Sequence, residues 1–411
     1  MSNYSGWSRE ALIQRISELE GNDATEDVSE GLRVGSPRNP PHKKKKEMDF
    51  SKYATRRIAL RFAYVGWDYH GLAIQSNVDP SEVPTVEHEI LQALHKTRLI
   101  PSLDVGECEF SRCGRTDRGV SALRQVISLR VRSNLSVEEQ ADPAQDDREL
   151  DYLHILNNLL PSNIRFFEVA MRPGNDFDAR FSCLSRRYKY FFHGEKLNVE
   201  KMHQAAQLFL GEHDFRNFCK VDGSKQLTNF CRRILASDIR KHETVDGLYY
   251  FDLTGTAFLW HQVRSMIAIL FLVGQELEPP EIVTYLLDVN TTPRRPVYEM
   301  AADYPLVLFD CEFPPEIEWS SFKNSETLER TKDKMYNLWH EQYVKTALLE
   351  EYQSMVNNSS TARLNNSKDQ KVFVNMGNGK SKPTAKYQPL ASRQTLDPPE
   401  VVNKRWLEKK K

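Results

Sequence analysis

The sequence predicts an α+β protein: two ferredoxin-like (RRM-like) halves joined into one mixed, mainly antiparallel sheet with helices packed on one face. Three observations carry this. Segments such as Arg57–Tyr64 and Gln125–Arg132 alternate apolar and polar residues with period two, as half-buried strands do. Segments between them place apolar residues three and four apart, as helices covering a sheet do. A similar order of such elements occurs in both halves of the chain.

Taken in order, Ser8 caps a short helix whose Leu12, Ile16 and Leu19 share a face before Gly21 ends it. A helix this short is marginal alone, and its plain role is a surface or dimer-contacting element. Residues 22–50 are polar and contain His42-Lys43-Lys44-Lys45-Lys46, a basic run suited to nuclear import, to RNA phosphates or to a solvated linker. Ile58, Leu60, Phe62 and Tyr64 form one face of the first strand, and Thr85 caps a helix over Val86–Arg98 through Val86, Ile90, Ala93 and Leu94. The strand Gln125–Arg132 follows, then an acidic inserted loop at Glu138–Asp147, a helix at Leu150–Leu160, and strands at Ile164–Ala170 and Arg186–His193. The second half repeats the theme: helix Val199–Leu210, strands Cys231–Lys241 and Leu248–Thr256, helices His261–Gln275 and Pro280–Val289, and strand Leu306–Phe313. Beyond Pro315 the pattern predicts a long helix at Glu326–Tyr352 and then a polar stretch without hydrophobic period. The expected organisation is therefore 1–50, a short helix and basic segment; 51–196, a first half; 197–318, a second half; 319–356, a helix; and 357–411, a flexible tail.

Composition removes several classes of function. The 411 residues carry 56 Lys+Arg against 57 Asp+Glu, a net charge of -1, so any surface for nucleic acid must come from local clustering. Eighteen glycines are roughly 4% of the chain against an average of about 7%, which disfavours a dinucleotide enzyme built on glycine-rich loops. The six cysteines contain no C-x-x-C pair and no signal-like segment opens the chain, so neither a zinc ribbon nor a secreted disulfide framework is expected, and a reducing compartment is. The longest apolar run, Met266–Val273, is far too short to span a membrane.

Two apparent motifs fail. Gly379-Lys380-Ser381 resembles the end of a phosphate loop, but Val374 stands where its first glycine belongs, and His88-Glu89 lacks a second histidine because Gln92 occupies that place. No metal site is expected.

The chemistry concentrates in Cys113-Gly114-Arg115-Thr116-Asp117-Arg118-Gly119-Val120, a loop with two glycines and three charges just before a strand. Its plain reading is an Asp-x-Gly turn in which Asp117 bonds its own backbone. Context reverses this, because Ser111–Val120 resembles the signature loop of the TruA family of tRNA pseudouridine synthases. Further blocks agree in order: Arg57–Tyr64 with Gly66, Phe177–Ser182 with Arg186–Tyr190, and Phe258–Arg264. The resemblance covers roughly residues 55–315. His213–Lys220, Pro305–Cys311 and Tyr387–Leu390 resemble the eukaryotic branch that modifies tRNA positions 38 and 39 in the anticodon arm.

The resemblance implies an isomerase that needs neither metal nor cofactor, since the uridine C1′–N1 bond is exchanged for a C1′–C5 bond without net redox change or consumption of water. Asp117 is implied as the catalytic carboxylate, whether it attacks C1′, attacks C6 or promotes elimination. Arg264 is implied as the opposing guanidinium, with bidentate geometry that lysine would lose. Tyr188 is implied at the flipped uracil, while Tyr190 reads as core. Arg115 is suited to the space the base vacates, and Arg112, Arg118, Arg180 and Arg187 are expected as phosphate contacts. The partners implied are tRNA and a second copy of the chain, with no membrane, and the residence expected is nucleus and cytoplasm with a mitochondrial pool left open. A non-catalytic tRNA-binding or folding module on the same scaffold is the alternative.

Overall fold

The structure, a computed structural model, describes residues 48–75, 78–359, 372–384 and 386–410. The expected helix near Ser8 and the basic run His42–Lys46 lie outside them. Among the described residues the strands are β1 (Thr55–Tyr64), β2 (Ser111–Arg112), β3 (Ser121–Arg132), β4 (Ile164–Ala170), β5 (Ser185–His193), β6 (Gly211–Asp214), β7 (Cys231–Lys241), β8 (Leu248–Gly255), β9 (Leu306–Glu312), β10 (Val372–Asn375) and β11 (Ser381–Thr384). The α-helices are α1 (Val86–Lys96), α2 (Tyr152–Leu159), α3 (Val199–Gln207), α4 (Gln262–Gly274), α5 (Ile282–Leu287), α6 (Ser325–Ser359) and α7 (Pro399–Lys410).

One nine-stranded sheet runs β4-β1-β3-β9-β5-β8-β7-β6, with β2 also paired to β3. The α+β expectation of two halves in one mixed, mainly antiparallel sheet therefore holds. In the first half the chain order β1-α1-β2-β3-α2-β4 gives the spatial order β4-β1-β3-β2, and in the second the order β5-α3-β7-β8-α4-β9 gives β9-β5-β8-β7. Both are the ferredoxin-like split βαβ arrangement. Because β5 pairs with β8 and β9, it belongs to the second half, and the expected boundary at residue 196 moves back to the stretch between β4 and β5.

The two halves fuse through the shortness of β2. Its two residues pair with Ser128 and Ile127, midway along β3. The same edge is thus left open at the start of β3, where Ser121 and Ala122 pair in parallel with Val307 and Leu308 of β9. The loop 113–120 leaves β2 and re-enters the sheet at this seam, so its position is fixed by both halves at once. Two residues carry no periodicity, and β2 went unseen in the sequence for that reason.

Each half has its own apolar cluster. Ile58, Leu60 and Phe62 of β1, with Val86, Ile90 and Leu94 of α1 and Leu153 and Leu156 of α2, form the first. Tyr190 and Phe192 of β5, with Met202 of α3 and Met266, Ile267, Leu270 and Phe271 of α4, form the second. Thr85 does cap α1, its hydroxyl accepting from the His88 N–H at 3.4 Å. Helix α4 is buried along nearly its whole length, which explains why its sequence lacks a polar face. Tyr190 is fully buried against Phe271, as its core reading requires.

The expectation of a flexible tail over 357–411 is corrected for its described residues. Gln275 at the end of α4 donates to the Phe373 carbonyl at 2.6 Å and accepts from the Asn375 N–H at 2.8 Å, seating the β10–β11 hairpin. The Tyr387 hydroxyl and the Leu390 N–H both donate to Glu278 Oε1, at 2.6 and 2.7 Å. These ties are polar and involve few apolar side chains, so hydropathy does not reveal them.

Candidate active site

The loop 113–120 is held from below by the turn between β1 and α1. The Thr116 carbonyl accepts from the Leu72 N–H at 3.2 Å, the Tyr69 carbonyl accepts from the Gly119 N–H at 3.1 Å, and the Tyr64 and Thr116 hydroxyls meet at 2.7 Å. Two glycines make this approach possible. Gly71 sits at φ +101°, where a Cβ would meet the Thr116 carbonyl at 2.7 Å, and Gly119 at φ +76° would bring a Cβ to 3.1 Å from the Asp303 carboxyl group.

The Asp-x-Gly turn exists, closed by the Val120 N–H donating to the Asp117 carbonyl at 3.2 Å. The backbone makes that bond, so the Asp117 carboxylate is left to face across the seam. His261, which precedes α4 in the left-handed region at φ 62°, places Nε2 3.4 Å from Asp117 Oδ2. The Asp117 side chain is 26% exposed and that of His261 only 11%. Burial raises the Asp117 pKa above its ordinary value, while the Arg264 charge and the Trp260 side chain pull it back, Asp303 raises it and Lys220 lowers it. Burial likewise lowers His261 to about 4, helped by the charges of Arg264, Lys220 and Arg295, so the imidazole is neutral at physiological pH.

Arg264, on the first turn of α4, is partly buried and acts on Asp117 by charge. Its Nε donates to the Ala301 carbonyl at 2.9 Å, and the acid at its other end is Asp303, 4.0 Å away. The bidentate Arg264–Asp117 pair expected from the sequence is therefore replaced by an arrangement in which His261 touches the carboxylate and Arg264 supplies the field. Tyr188, on β5, lies between the two apolar clusters, its ring edge-on to Phe258 at 5.1 Å. Burial raises its hydroxyl pKa, and the Asp117 carboxylate adds to the rise.

The sequence reasoning did not single out His261, Trp260 or Lys220. Trp260 is 45% exposed, its ring packed on His261 at 4.5 Å, with the Lys220 ammonium 4.7 Å from its centroid. The block Phe258–Arg264 contains the first two, but nothing in its spacing marks them out beside the arginine.

The arginines divide. Arg115, Arg118 and Arg180 are exposed, Arg180 lying over the Phe181 ring at 5.2 Å. Arg112 instead pairs with buried Glu87 at 2.7 Å, and Arg187 forks onto buried Asp252 at 2.7 and 2.6 Å. Strand alternation puts Arg187 on the face opposite Tyr188. These two are structural ion pairs, and their expected role as phosphate contacts is withdrawn.

A seam-held carboxylate beside a neutral imidazole, a partly buried guanidinium, an aromatic ring and exposed arginines fits a site that acts on an extruded nucleoside. Residues 205–314 match the family model described as tRNA pseudouridine synthase. The chain is also 49% identical to a Saccharomyces cerevisiae tRNA pseudouridine(38/39) synthase, over 100% of this chain and 93% of the relative. The chain therefore belongs to the TruA family of tRNA pseudouridine synthases, which are isomerases. Two further relatives frame it: a Homo sapiens tRNA pseudouridine(38/39) synthase, 40% identical over 82% of this chain and 71% of that one, and a Methanococcoides burtonii tRNA pseudouridine synthase A, 32% identical over 68% and 90%.

The division among the arginines predicts opposite phenotypes. Arg112→Ala strands the Glu87 carboxylate in the protein and should cost roughly 3 kcal/mol in urea unfolding. Arg115→Ala should change stability by less than about 0.5 kcal/mol yet weaken tRNA binding and reduce its salt slope by about 1. Equal stability losses in the two variants would contradict the assignment.

Proposed function

We propose that this chain isomerises uridine to pseudouridine at positions 38 and 39 of the tRNA anticodon arm, with Asp117 as the catalytic carboxylate. The observation that carries the reading is the placement of Asp117 on a loop fixed by both halves of the sheet, in a recess that raises the cost of its charge and supplies Arg264 to offset it. The full-length similarity to the yeast 38/39 enzyme supports the choice of positions.

In the reaction the C1′–N1 bond breaks, the uracil turns, and C1′ bonds to C5. N1 gains a proton and C5 loses one, so nothing else is consumed. Asp117 must be ionised to act on the nucleoside, and Arg264 favours that state. The neutral His261 at its other side can donate to the carboxylate without adding a titrating charge. Tyr188 offers its ring to the base and its hydroxyl to the rearranging atoms, Trp260 provides a stacking surface at the mouth, and Arg115 fills the space left in the stem when the nucleotide is drawn out. A homodimer and residence in nucleus and cytoplasm belong to the same proposal. The first is supported by exposed Leu348, Tyr352 and Met355 along one stripe of α6, and the second by the basic run His42–Lys46.

Two measurements test this. Purified protein incubated with unmodified tRNA transcripts should convert uridines 38 and 39 and no others in the anticodon arm; binding without conversion would identify a tRNA-binding module instead. The pH dependence of kcat/KM should show a single acid limb, activity being lost as pH falls through the raised Asp117 pKa and flat above it. His261, with its pKa near 4, should contribute no inflection near the ordinary histidine value of about 6.5. An inflection there that disappears in His261→Gln would contradict a neutral imidazole.

A further inference from the structure

Behind the Asp117 loop three cysteines converge from three separate segments. Cys113 stands at the end of β2, four residues before Asp117; Cys183 lies just ahead of β5; and Cys311 is in β9. All three side chains are free and buried, at 1%, 9% and 1% exposure. Their sulfur atoms all lie within 4.8 Å of one another. Sequence adjacency gave no hint of this, because the metal expectation rested on paired cysteines a few residues apart and these three meet only through the sheet.

We propose that Cys113, Cys183 and Cys311 form a three-sulfur binding site for a soft, thiophilic cation of the monovalent copper class. Metal–sulfur bonds of about 2.3 Å place the sulfurs of a planar three-coordinate ion about 4 Å apart, which the observed limit of 4.8 Å accommodates with small side-chain movement. Among the described residues no histidine or carboxylate joins the three within that distance, and their burial keeps bulk water from supplying a fourth ligand. That disfavours Zn²⁺, whose structural sites take four protein donors, and favours a cation content with three thiolates.

A compensating charge is present. Arg186 donates to the carbonyls of Cys113 at 2.9 Å, Arg180 at 2.8 Å and Thr256 at 2.9 Å. Among the described residues no carboxylate lies within ion-pair distance of its guanidinium, so its charge is available to the thiolates that coordination creates. Each thiol that binds the cation releases its proton, so uptake should strengthen with pH. Occupation would staple the start of the catalytic loop to β9 and to the segment entering β5.

The test is an anaerobic titration of the reduced full-length chain with Cu(I) against a chromogenic Cu(I) chelator, in a Cys231→Ser background that removes the exposed thiol. The expected result is one Cu(I) per chain with three sulfur neighbours by X-ray absorption. Cys311→Ala and Cys183→Ala should weaken binding at least about 100-fold, whereas Cys219→Ala, which removes a buried thiol in the other apolar cluster, should leave it unchanged. Unaltered affinity in folded Cys311→Ala protein would overturn the proposal. So would a background protein whose copper shows two sulfur neighbours or mainly nitrogen and oxygen, a readout that stands even if a cysteine variant fails to fold.

Discussion

A carboxylate withdrawn from water resists ionisation, and the seam of this sheet is organised around that resistance. Asp117 is about three-quarters buried, which by itself would favour its neutral form. Arg264 opposes that tendency from the first turn of a helix buried along nearly its whole length. Its charge is directed by a bond to the Ala301 carbonyl and reaches Asp117 through a medium in which charges interact more strongly than in water. His261 closes the remaining side as a neutral group. A second positive charge in direct contact would have held the anion more tightly while making it a poorer reactant.

The architecture follows from the need to hold these groups to one another. Asp117 comes from the first half of the sheet, and His261, Arg264 and Tyr188 from the second. The shortness of β2 opens the edge of β3 to β9, so the loop that carries the acid and the elements that tune it are bonded into one sheet. Gly71 and Gly119 then let the loop settle against its supports without side chains intervening. The cysteine trio lies directly behind the same seam, where a bound cation would tie the loop, β5 and β9 together.

The strands and amphipathic helices were legible because period two and period 3.6 are local properties of the chain. What was not legible depended on partners distant in sequence. The assignment of β5 to the second half is decided by its pairing with β8 and β9, and the structural roles of Arg112 and Arg187 are decided by Glu87 and Asp252. Sequence spacing is silent on such partners, just as it is silent on three cysteines that converge through the fold. The signature loop made Asp117 conspicuous. The means by which its charge is tuned, by burial at the seam and by Arg264 through space, required coordinates.

The most direct test of this account removes the charge and keeps the shape. Asp117→Asn protein, shown to be folded and to bind tRNA as the unaltered chain does, would be given a transcript carrying tritium at uridine C5, and tritium released to solvent would be measured in a single turnover. The account predicts release no faster than without enzyme, because nothing then acts on the nucleoside to free its base. Release at the rate of the unaltered chain would contradict it.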